Sequence, residues 1–451
     1  MFKNFFYTSI LLVILSIFFC QAQKPHKTQS SYETKKPYSV NIVGFIDDNI
    51  SLSRHASAFI NCLYKDVPLN LIKSRKTSVK QVPEHLKDII NQSIDLTSKN
   101  ALRGFLKKGF ELDGVTIFTD GPLMSWKEYT SLPNKSVLKI IYAVTERSVI
   151  PQNWVVKMNQ NFDAIVVPDG WMIDIFKQSG ISLPIFVLPL VLDNNLRSFL
   201  NLPPKQSCNQ PFVFGMTGGF TPRKNHALIL RAFAEEFGNN PNFKLKLHGA
   251  YGADKPKLLD ILKHYNLTNV EISQITYPRS DYEKFIRSLD CYAFASKGEG
   301  FSITPREAMA AGIPCILSDN TAHKIICQSG FVCPIQSNIV EPAYFVTIQK
   351  YLGNDFNCDI QDVRKAMRHV YQNYNQYLSL ASHGREWVKQ YLAKNLAPLY
   401  LSLVKPKLVI LGHENLITNE YLMTNSKELY AKYQKLCTQT NTVFTVTPTA
   451  N

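Results

Sequence analysis

The feature that most constrains the fold is an alternation of short apolar runs with amphipathic stretches, which begins at residue 40 and continues through most of the chain. Apolar runs of four to seven residues are typical of strands buried on both faces, and the stretches between them have helical spacing. Strands that alternate with helices form βαβ units and parallel sheets. Strands are therefore predicted at 40–45, 115–119, 138–144, 164–167, 185–190, 212–219, 243–249, 270–273, 291–296 and 314–318.

A turn-rich segment, NLPPKQSCNQP at 201–211, interrupts the alternation, which restarts at residue 212. The chain of 451 residues is long enough for more than one hydrophobic core. We predict two Rossmann-like, doubly wound α/β domains at 39–205 and 206–404, the second ending in a long helical region. The remainder, 405–451, is predicted to be a weakly structured tail because its pattern is weak and polar.

An uncharged apolar run at residues 5–20 opens the chain behind Lys3. Sixteen helical residues span about 24 Å, slightly less than the hydrocarbon core of a bilayer. Ala22 after Cys20 gives a small-x-small cleavage pattern. We predict that 1–22 is a signal peptide or a short membrane anchor, with cleavage and retention both open, and that the polar segment 23–38 is a linker. The chain is thus expected to be membrane-associated or exported.

Charge and cysteine content argue against two classes of binding site. The net charge of +15 favours anionic partners, but it is spread evenly without a basic tail or a run of five like charges, which disfavours nucleic-acid binding. The nine cysteines form no C-x-x-C pair, which disfavours a structural zinc site. Several lie within apolar runs, so we interpret them as small buried hydrophobic residues rather than a disulfide framework.

The first candidate binding loop runs from Gly218 to Asn225 and reads GGFTPRKN between a strand and a helix. Gly218 and Gly219 allow close approach of backbone to a ligand. Arg223 and Lys224 lie at the start of a helix, where the helix dipole disfavours cations. An anion such as a diphosphate bound between them would explain this placement. A solvated pair of cations on a flexible turn is the alternative.

The second candidate loop follows the strand at 291–296 and contains Glu299 between two glycines. Glu299 has no role in a helix cap. Glu307, eight positions later, has one available: Thr304 as N-cap and Pro305 at the first helical position would make it the third residue of a capping box. A carboxylate that accepts hydrogen bonds from sugar hydroxyls is the functional alternative. The backbone amides of residues 300–302 can form an anion-binding nest.

The ordered motifs resemble those of glycosyltransferase family 4, retaining enzymes of the GT-B fold. The resemblance is carried by the GG…RKN loop, a strand ending in LHG at 247–249, and E-G-F followed by E-A-M-A-A-G-I-P with seven residues between the two glutamates. The first half is also similar, with Glu146, Trp154 and VVPDGW at 166–171 in the expected order. The resemblance covers about residues 40 to 400. It implies two Rossmann-like domains that face each other across a cleft.

The resemblance also implies roles for individual residues. Arg223 and Lys224 would hold the donor diphosphate, Glu299 would contact the transferred sugar, and Glu307 would accept hydrogen bonds from the ribose. Glu146 is the acceptor-side candidate. The remaining donor-binding candidates are glycines and backbone amides: Gly218, Gly219, Gly300, Phe301 and Ser302.

The expected activity is retaining transfer of a hexose-type sugar from a nucleoside-diphosphate sugar to a hydroxyl of a glycan or glycolipid acceptor. The family needs no bound metal or other cofactor, and the chain contains no D-x-D triplet. One departure from the family is the loop at 47–54, which lacks the glycines that many relatives have there. Arg54 and His55 are interpreted as a solvated first helical turn rather than as acceptor contacts.

Three other functions have weaker support in the sequence. A catalytically impaired relative that binds glycans or nucleotides is the main alternative, because of the loop without glycines. A phosphorylase-like enzyme would need pyridoxal phosphate, and no lysine is placed by a motif for it. A Rossmann dehydrogenase is disfavoured because no G-x-G-x-x-G follows the strand at 40–45.

Overall fold

The computed structural model describes residues 39–46, 53–73, 114–121, 138–345 and 348–404, with a few positions at 88–100 and 428–432. The predicted leader and linker (1–38), the loop at 47–52 and nearly all of the predicted tail lie outside these ranges. Within them, every helix is too short or too polar to cross a membrane.

The first domain is built on a parallel sheet of seven strands in the order β3-β2-β1-β4-β5-β6-β7. The strands are β1 Val40–Gly44, β2 Leu69–Lys73, β3 Ile94–Asp95, β4 Val115–Gly121, β5 Leu138–Ala143, β6 Ala164–Val167 and β7 Ile185–Val187. The helices of this half are α1 Ser53–Leu63, α2 Gln152–Asn161, α3 Trp171–Gln178 and α4 Asp193–Leu200. Strands β1 and β6 are buried at every position, as their apolar sequences predict.

The second domain has a six-stranded parallel sheet in the order β10-β9-β8-β11-β12-β13. Its strands are β8 Phe212–Thr217, β9 Phe243–His248, β10 Val270–Ser273, β11 Cys291–Phe294, β12 Cys315–Ser318 and β13 Cys333–Ile335. The helices are α5 His226–Phe237, α6 Lys255–His264, α7 Arg279–Arg287, α8 Ile303–Ala310, α9 His323–Gln328, α10 Ile360–Gln372, α11 Tyr374–Trp387 and α12 Ala393–Val404. In both sheets the strand order reverses direction beside the first strand, so each sheet is doubly wound.

The last helix returns to the first domain. Helix α12 packs against α1, and the ring of Tyr400 lies edge-on to Phe59 at 4.8 Å between centroids. The Tyr400 hydroxyl donates to the Pro189 carbonyl at 2.9 Å. The chain therefore crosses between the two halves twice, once in each direction.

An antiparallel hairpin that the sequence did not predict follows β13. Its strands are β14 Ile339–Phe345 and β15 Lys350–Asn357, and they form a separate two-stranded sheet. The hairpin reaches the first domain, where the Asp355 carboxylate pairs with Arg147 at 3.1 Å. It is thus an additional contact between the two domains.

The prediction of a solvated first turn in α1 is wrong for His55. This residue is buried, its Nδ1 lies 2.8 Å from the Thr119 carbonyl, and its ring packs against Tyr142. Burial lowers the pKa of His55 to about 4, so the ring is neutral at physiological pH. The cause is the position of α1 directly over β4, which the sequence of the helix alone does not reveal.

The described cysteines are free thiols. Five of them are buried, as the apolar surroundings of most predicted, and Cys327 is partly buried. Cys208, in the turn-rich segment between the domains, is exposed.

Candidate active site

The site lies at the carboxyl ends of β8 and β11, the two neighbouring strands at which the second sheet reverses its order. Open α/β sheets bind ligands at such switch points, because the loops that leave the two strands diverge there. Both candidate loops of the sequence leave from these strands. The structure therefore brings the two predicted motifs together.

The first loop forms a rigid turn before helix α5. Pro222–Lys224 is a short 3₁₀ turn, and Asn225 has a left-handed backbone with φ of 62°. The Asn225 side chain donates to the Ala295 carbonyl at 2.9 Å, which ties this turn to the end of β11. Asparagine tolerates a positive φ better than most residues. Arg223 and Lys224 are thereby held at one place beside the second loop.

Tyr251 covers Gly219 of this turn, and the sequence did not indicate it. The Phe220 amide donates to the Tyr251 carbonyl at 2.6 Å, so the loops after β8 and β9 are bonded together. A Cβ at Gly219 would lie 2.6 Å from the Tyr251 ring, which explains the need for glycine there. The Tyr251 side chain is nevertheless 65% exposed. An aromatic ring thus faces solvent directly above the predicted diphosphate loop.

Four charged side chains meet between the loops. Lys224 Nζ lies 2.8 and 2.7 Å from the two oxygens of Glu299. Arg223 Nη1 donates to Glu299 Oε1 at 3.0 Å and to the Gly298 carbonyl, and its Nη2 donates to Glu146 Oε1 at 2.8 Å. Glu146 belongs to the first domain, so the cluster joins the two halves. We call these four residues the cleft cluster.

The charges of the cleft cluster stabilise one another. Burial alone would raise the pKa of Glu299, but Lys224 and Arg223 outweigh it and lower the pKa to about 2. Burial disfavours the charge of Arg223, yet Glu146 and Glu299 raise its pKa. Burial lowers the pKa of Lys224 against the attraction of Glu299. The attraction between the charges thus outweighs burial for Glu299 and Arg223, whereas burial outweighs it for Lys224.

Two glycines allow the first domain to approach Glu299. A Cβ at Gly298 would collide with the Glu146 carbonyl, and one at Gly300 would lie 2.5 Å from a methyl group of Val144. The Glu299 amide donates to Thr321 Oγ1 at 2.8 Å, and its carboxylate accepts from Ser296 Oγ at 2.6 Å. Glu299 is thus fixed between a loop of the first domain and its own strand.

The segment after Glu299 points two of its carbonyl groups at Arg306. This guanidinium is buried, lies 4.1 Å from the centroid of the Phe301 ring, and donates to the carbonyls of Phe301 and, at 3.0 Å, Ser302. In a trans peptide the amide points away from the carbonyl, so the Ser302 amide faces away from Arg306. In the described part of the chain, the amides of Gly300, Phe301 and Ser302 have no protein acceptor.

The predicted capping box is not formed. Helix α8 begins at Ile303, one residue before the predicted N-cap, and Ser302 precedes it with a left-handed φ of 59°. Thr304 Oγ1 accepts from the Tyr292 hydroxyl at 2.7 Å, and Glu307 does not reach back to its amide. The left-handed Ser302 turns the chain into the helix earlier than the Thr-Pro signal indicates.

Glu307 instead lies in a second cluster, apart from Glu299. Its Oε1 accepts from Asn195 at 2.6 Å and from Arg279 at 3.2 Å, and its Oε2 accepts from the Tyr282 hydroxyl at 2.5 Å. These donors belong to α4 and α7, so Glu307 joins three helices. We call these four residues the helix cluster.

His323 is a further site residue that the sequence did not indicate. Its Nε2 lies 2.6 Å from Ser302 Oγ and its Nδ1 lies 3.0 Å from Ser318 Oγ. Burial lowers the pKa of His323 to about 4, with the charge of Glu299 opposing. The neutral His323 ring therefore fixes the Ser302 side chain through this hydrogen bond. Among the described residues, no group of three or more His, Cys, Asp or Glu side chains is arranged to hold a metal ion.

Comparison with solved structures places this arrangement among known folds. HepE of Anabaena, solved in complex with UDP and glucose, superimposes with a TM-score of 0.60 and 12% identity over 80% of this chain and 97% of HepE. Sucrose-phosphate synthase of Thermosynechococcus elongatus superimposes with a TM-score of 0.55 and 14% identity, over 80% of this chain and 96% of the synthase. The fold is GT-B. The predicted fold class is therefore confirmed.

The GT-B chain also matches glycosyltransferases in sequence. Residues 201–340 match the family model of Glycosyl transferases group 1, a segment that includes both candidate loops. The serotype-specific mannosyltransferase WbdA of Escherichia coli is 32% identical over 117 residues, which is 26% of this chain and 14% of WbdA. The uncharacterized glycosyltransferase MJ1059 of Methanocaldococcus jannaschii is 30% identical over 139 residues, 30% of this chain and 32% of that protein. The matched segments thus span less than a third of these relatives.

Proposed function

We propose that this GT-B chain is a retaining glycosyltransferase of family 4 type that moves a hexose-type sugar from a nucleoside-diphosphate sugar to a hydroxyl of a glycan or lipid-linked acceptor. The observation that carries the proposal is the meeting of Arg223, Lys224 and Glu299 at the switch point of the second sheet, facing Glu146 of the first domain. The match of the surrounding segment to Glycosyl transferases group 1 supports it.

Arg223 and Lys224 would stabilise the leaving diphosphate. The bond between the anomeric carbon and the diphosphate oxygen breaks, and the acceptor oxygen bonds to that carbon from the same face. The leaving phosphate oxygen takes the proton of the acceptor hydroxyl, so no protein nucleophile is required. Cations placed in advance where negative charge develops lower the barrier without reorganisation.

The loop that begins at Glu299 would bind the donor sugar. The amides of Gly300, Phe301 and Ser302 are available to donate to sugar hydroxyls or to the β-phosphate. Glu299 would accept from sugar hydroxyls once the diphosphate takes its place on Lys224. In the unliganded chain Lys224 and Arg223 lower the pKa of Glu299 to about 2, so Glu299 is an acceptor of hydrogen bonds rather than a proton donor at neutral pH.

The glycines of the first loop and Tyr251 would bound the diphosphate. Gly218 is partly exposed beside the Lys224 side chain, and the Tyr251 ring lies over Gly219. A diphosphate there would contact backbone from one side and the two cations from the other. We propose that these cations replace a bound metal and that no cofactor is needed.

Two features guide the choice of substrates to test. HepE was solved with UDP and glucose, and TarM of S. aureus, with a TM-score of 0.51 at 16% identity, was solved with UDP and α-GlcNAc-glycerol. WbdA is a mannosyltransferase. UDP-glucose, UDP-GlcNAc and a mannosyl donor therefore come first, with glycan and glycolipid acceptors.

We further propose that the N-terminal segment ties the enzyme to a membrane or exports it. The apolar run at 5–20 supports this. The catalytic domains must then lie where nucleotide sugars occur, on the cytoplasmic face of a membrane or in a secretory lumen. Nucleic acid is not an expected partner.

A second candidate is a catalytically impaired GT-B relative that binds glycans or nucleotides. The helix cluster favours it, because three protein donors already occupy the oxygens of Glu307, the residue expected to bind the ribose. Ribose binding through Glu307 would require one of these donors to leave.

The test is release of nucleoside diphosphate by the purified full chain. UDP-, GDP- and ADP-sugars are incubated with glycan and glycolipid acceptors, with and without EDTA, and the anomeric configuration of the product is read by NMR. Lys224→Ala is expected to lower the rate by about 100-fold, whereas Lys365→Ala, on the exposed face of α10, is the matched control and should not change it.

Three results would contradict parts of the proposal. Release that is unchanged in Lys224→Ala would show that the phosphate site is elsewhere. Loss of activity in EDTA would refute metal independence. Tight nucleotide binding without transfer to any acceptor would favour the second candidate.

A further inference from the structure

The unpredicted hairpin contacts the loop of the first domain that carries Glu146. The Arg147 Nε donates to Asp355 Oδ1 at 3.1 Å, and both side chains are almost completely buried. The backbone amide of Asn354 donates to Ser148 Oγ at 2.8 Å. Two consecutive residues of the hairpin therefore hold two consecutive residues of the first domain.

Apolar contacts close the same junction. The Phe345 ring lies 4.5 Å from the guanidinium of Arg147 and edge-on to Trp154 at 6.2 Å. Gly353 has a φ of 69°, and a Cβ there would collide with Val149. The close approach of hairpin and loop thus depends on a glycine, which indicates that the junction is a fitted contact.

Glu146 is the residue immediately before Arg147, and it crosses the cleft in its own ion pair. Its carboxylate bonds to Arg223 at 2.8 Å, although the Glu146 side chain is 41% exposed. A half-exposed ion pair contributes little by itself to holding two side chains together. The neighbouring Arg147–Asp355 pair is less exposed and is accompanied by the bond from the Asn354 amide to Ser148, so the hairpin is the stronger constraint on this loop.

We infer that Arg147 and Asp355 are positioning residues, whose ion pair holds the Glu146 carboxylate against Arg223 at the proposed transfer site. The inference rests on the proposed function and assigns a role to the hairpin that the function does not otherwise use. Glu146 and a donor diphosphate compete for the same guanidinium. Release of the hairpin should therefore strengthen diphosphate binding and weaken acceptor use.

The first arm of the experiment needs no catalysis. Dissociation constants of UDP, GDP and ADP are measured by calorimetry for the full chain, Asp355→Asn, Glu146→Gln and the double variant. Each single variant should bind the preferred nucleotide about threefold more tightly, the effect of one partly exposed ion pair. If Asp355 acts through Glu146, the double variant binds no more tightly than Glu146→Gln.

The matched control is Glu236→Gln, which removes ion pairs between α10 and α5 with Arg364 and Arg368, inside the second domain. It should leave nucleotide binding unchanged. The charge of Asp355 also acts directly on Arg223. If that direct effect were the whole explanation, the two single variants would multiply in the double variant, which would overturn the inference.

The second arm separates kcat from KM. Asp355→Asn should lower kcat with the acceptor about tenfold while the KM for the donor falls. Arg147→Lys should lower kcat less than Asp355→Asn does, because it keeps a cation opposite Asp355. A loss of thermal stability with unchanged kcat and KM would show a structural role only and refute the inference. If the wild-type chain transfers no sugar, the proposed function fails, and the binding cycle still decides whether the hairpin positions Glu146.

Discussion

The cleft cluster and the helix cluster place two glutamates, eight positions apart in one motif, in opposite situations. Glu299 is held mainly by the cations of a neighbouring loop, beside three backbone amides that have no acceptor among the described residues. Glu307 is held by three donors from two other helices, and its side chain is 3% exposed. The difference shows that the two glutamates of one motif can serve different purposes. The first is the one we propose to contact the donor sugar, and the second connects three helices.

The largest expected effect tests the cleft cluster. Arg223→Gln should lower kcat/KM for sugar transfer by about 100- to 1,000-fold, because it removes a preorganised charge from the leaving diphosphate. The thermal midpoint should fall as well, because the buried Glu299 loses its ion pair with Arg223. Steady-state kinetics and calorimetry of the same preparation measure both. Normal kinetics would remove Arg223 from the site.

The next effect should appear in stability rather than in activity. Glu307→Gln leaves Arg279 without its buried carboxylate, so the free energy of unfolding should fall by about 2–4 kcal/mol. Glu283→Gln removes the other carboxylate of Arg279, which is more exposed, and should cost less than about 1 kcal/mol. Denaturant unfolding compares the two variants. Equal stabilities would show that the helix cluster does not stabilise the contact between its three helices.

A smaller effect is expected from spacing at the cleft. Gly298→Ala places a Cβ against the Glu146 carbonyl, so the two domains must separate slightly and kcat/KM should fall about tenfold. Gly170→Ala is the matched control, because a Cβ there meets no atom within 4 Å. Kinetics of both variants that match wild type would show that the domain contact at Gly298 is not needed for transfer.

The smallest effect concerns pH. The pKa of Glu299 is about 2 in the folded chain and near 4.5 in an unfolded one, so its contribution to stability is complete above pH 4.5 and is lost as the pH falls towards 2. By pH 4 the stability difference between wild type and Glu299→Gln should have shrunk by about 1 kcal/mol from its value at pH 7. Unfolding at several pH values measures it. A difference independent of pH would show that Glu299 does not hold its charge through Arg223 and Lys224.

The sequence predicted those strands whose burial on both faces gives a continuous apolar run. Strands β1, β6 and β8 are buried on both faces, and their apolar runs identify them within one or two residues. Strand β3 has only two residues, which is too short for a pattern. The hairpin was missed because β14 contains Pro342 and β15 is largely polar, so neither shows a buried run.

The candidate site divides in the same way. Arg223, Lys224 and Glu299 are contiguous with glycine-rich loops, so local sequence indicates them. Tyr251 and His323 reach the site through packing between loops after different strands, which no local pattern encodes. The capping box predicted for Glu307 is wrong, because the partners of its carboxylate are 25 to 112 residues away in sequence.

The pairing of two cations with two carboxylates in the cleft has a consequence for selectivity among anions. A small ion such as chloride or inorganic phosphate would have to displace a carboxylate that is covalently tethered at the site, and it brings no further contacts in exchange. A ligand that also fills the neighbouring amides and aromatic surface can make that exchange favourable. On the proposed function, the unliganded protein would thus exclude abundant salts from the diphosphate site and leave that site to larger molecules.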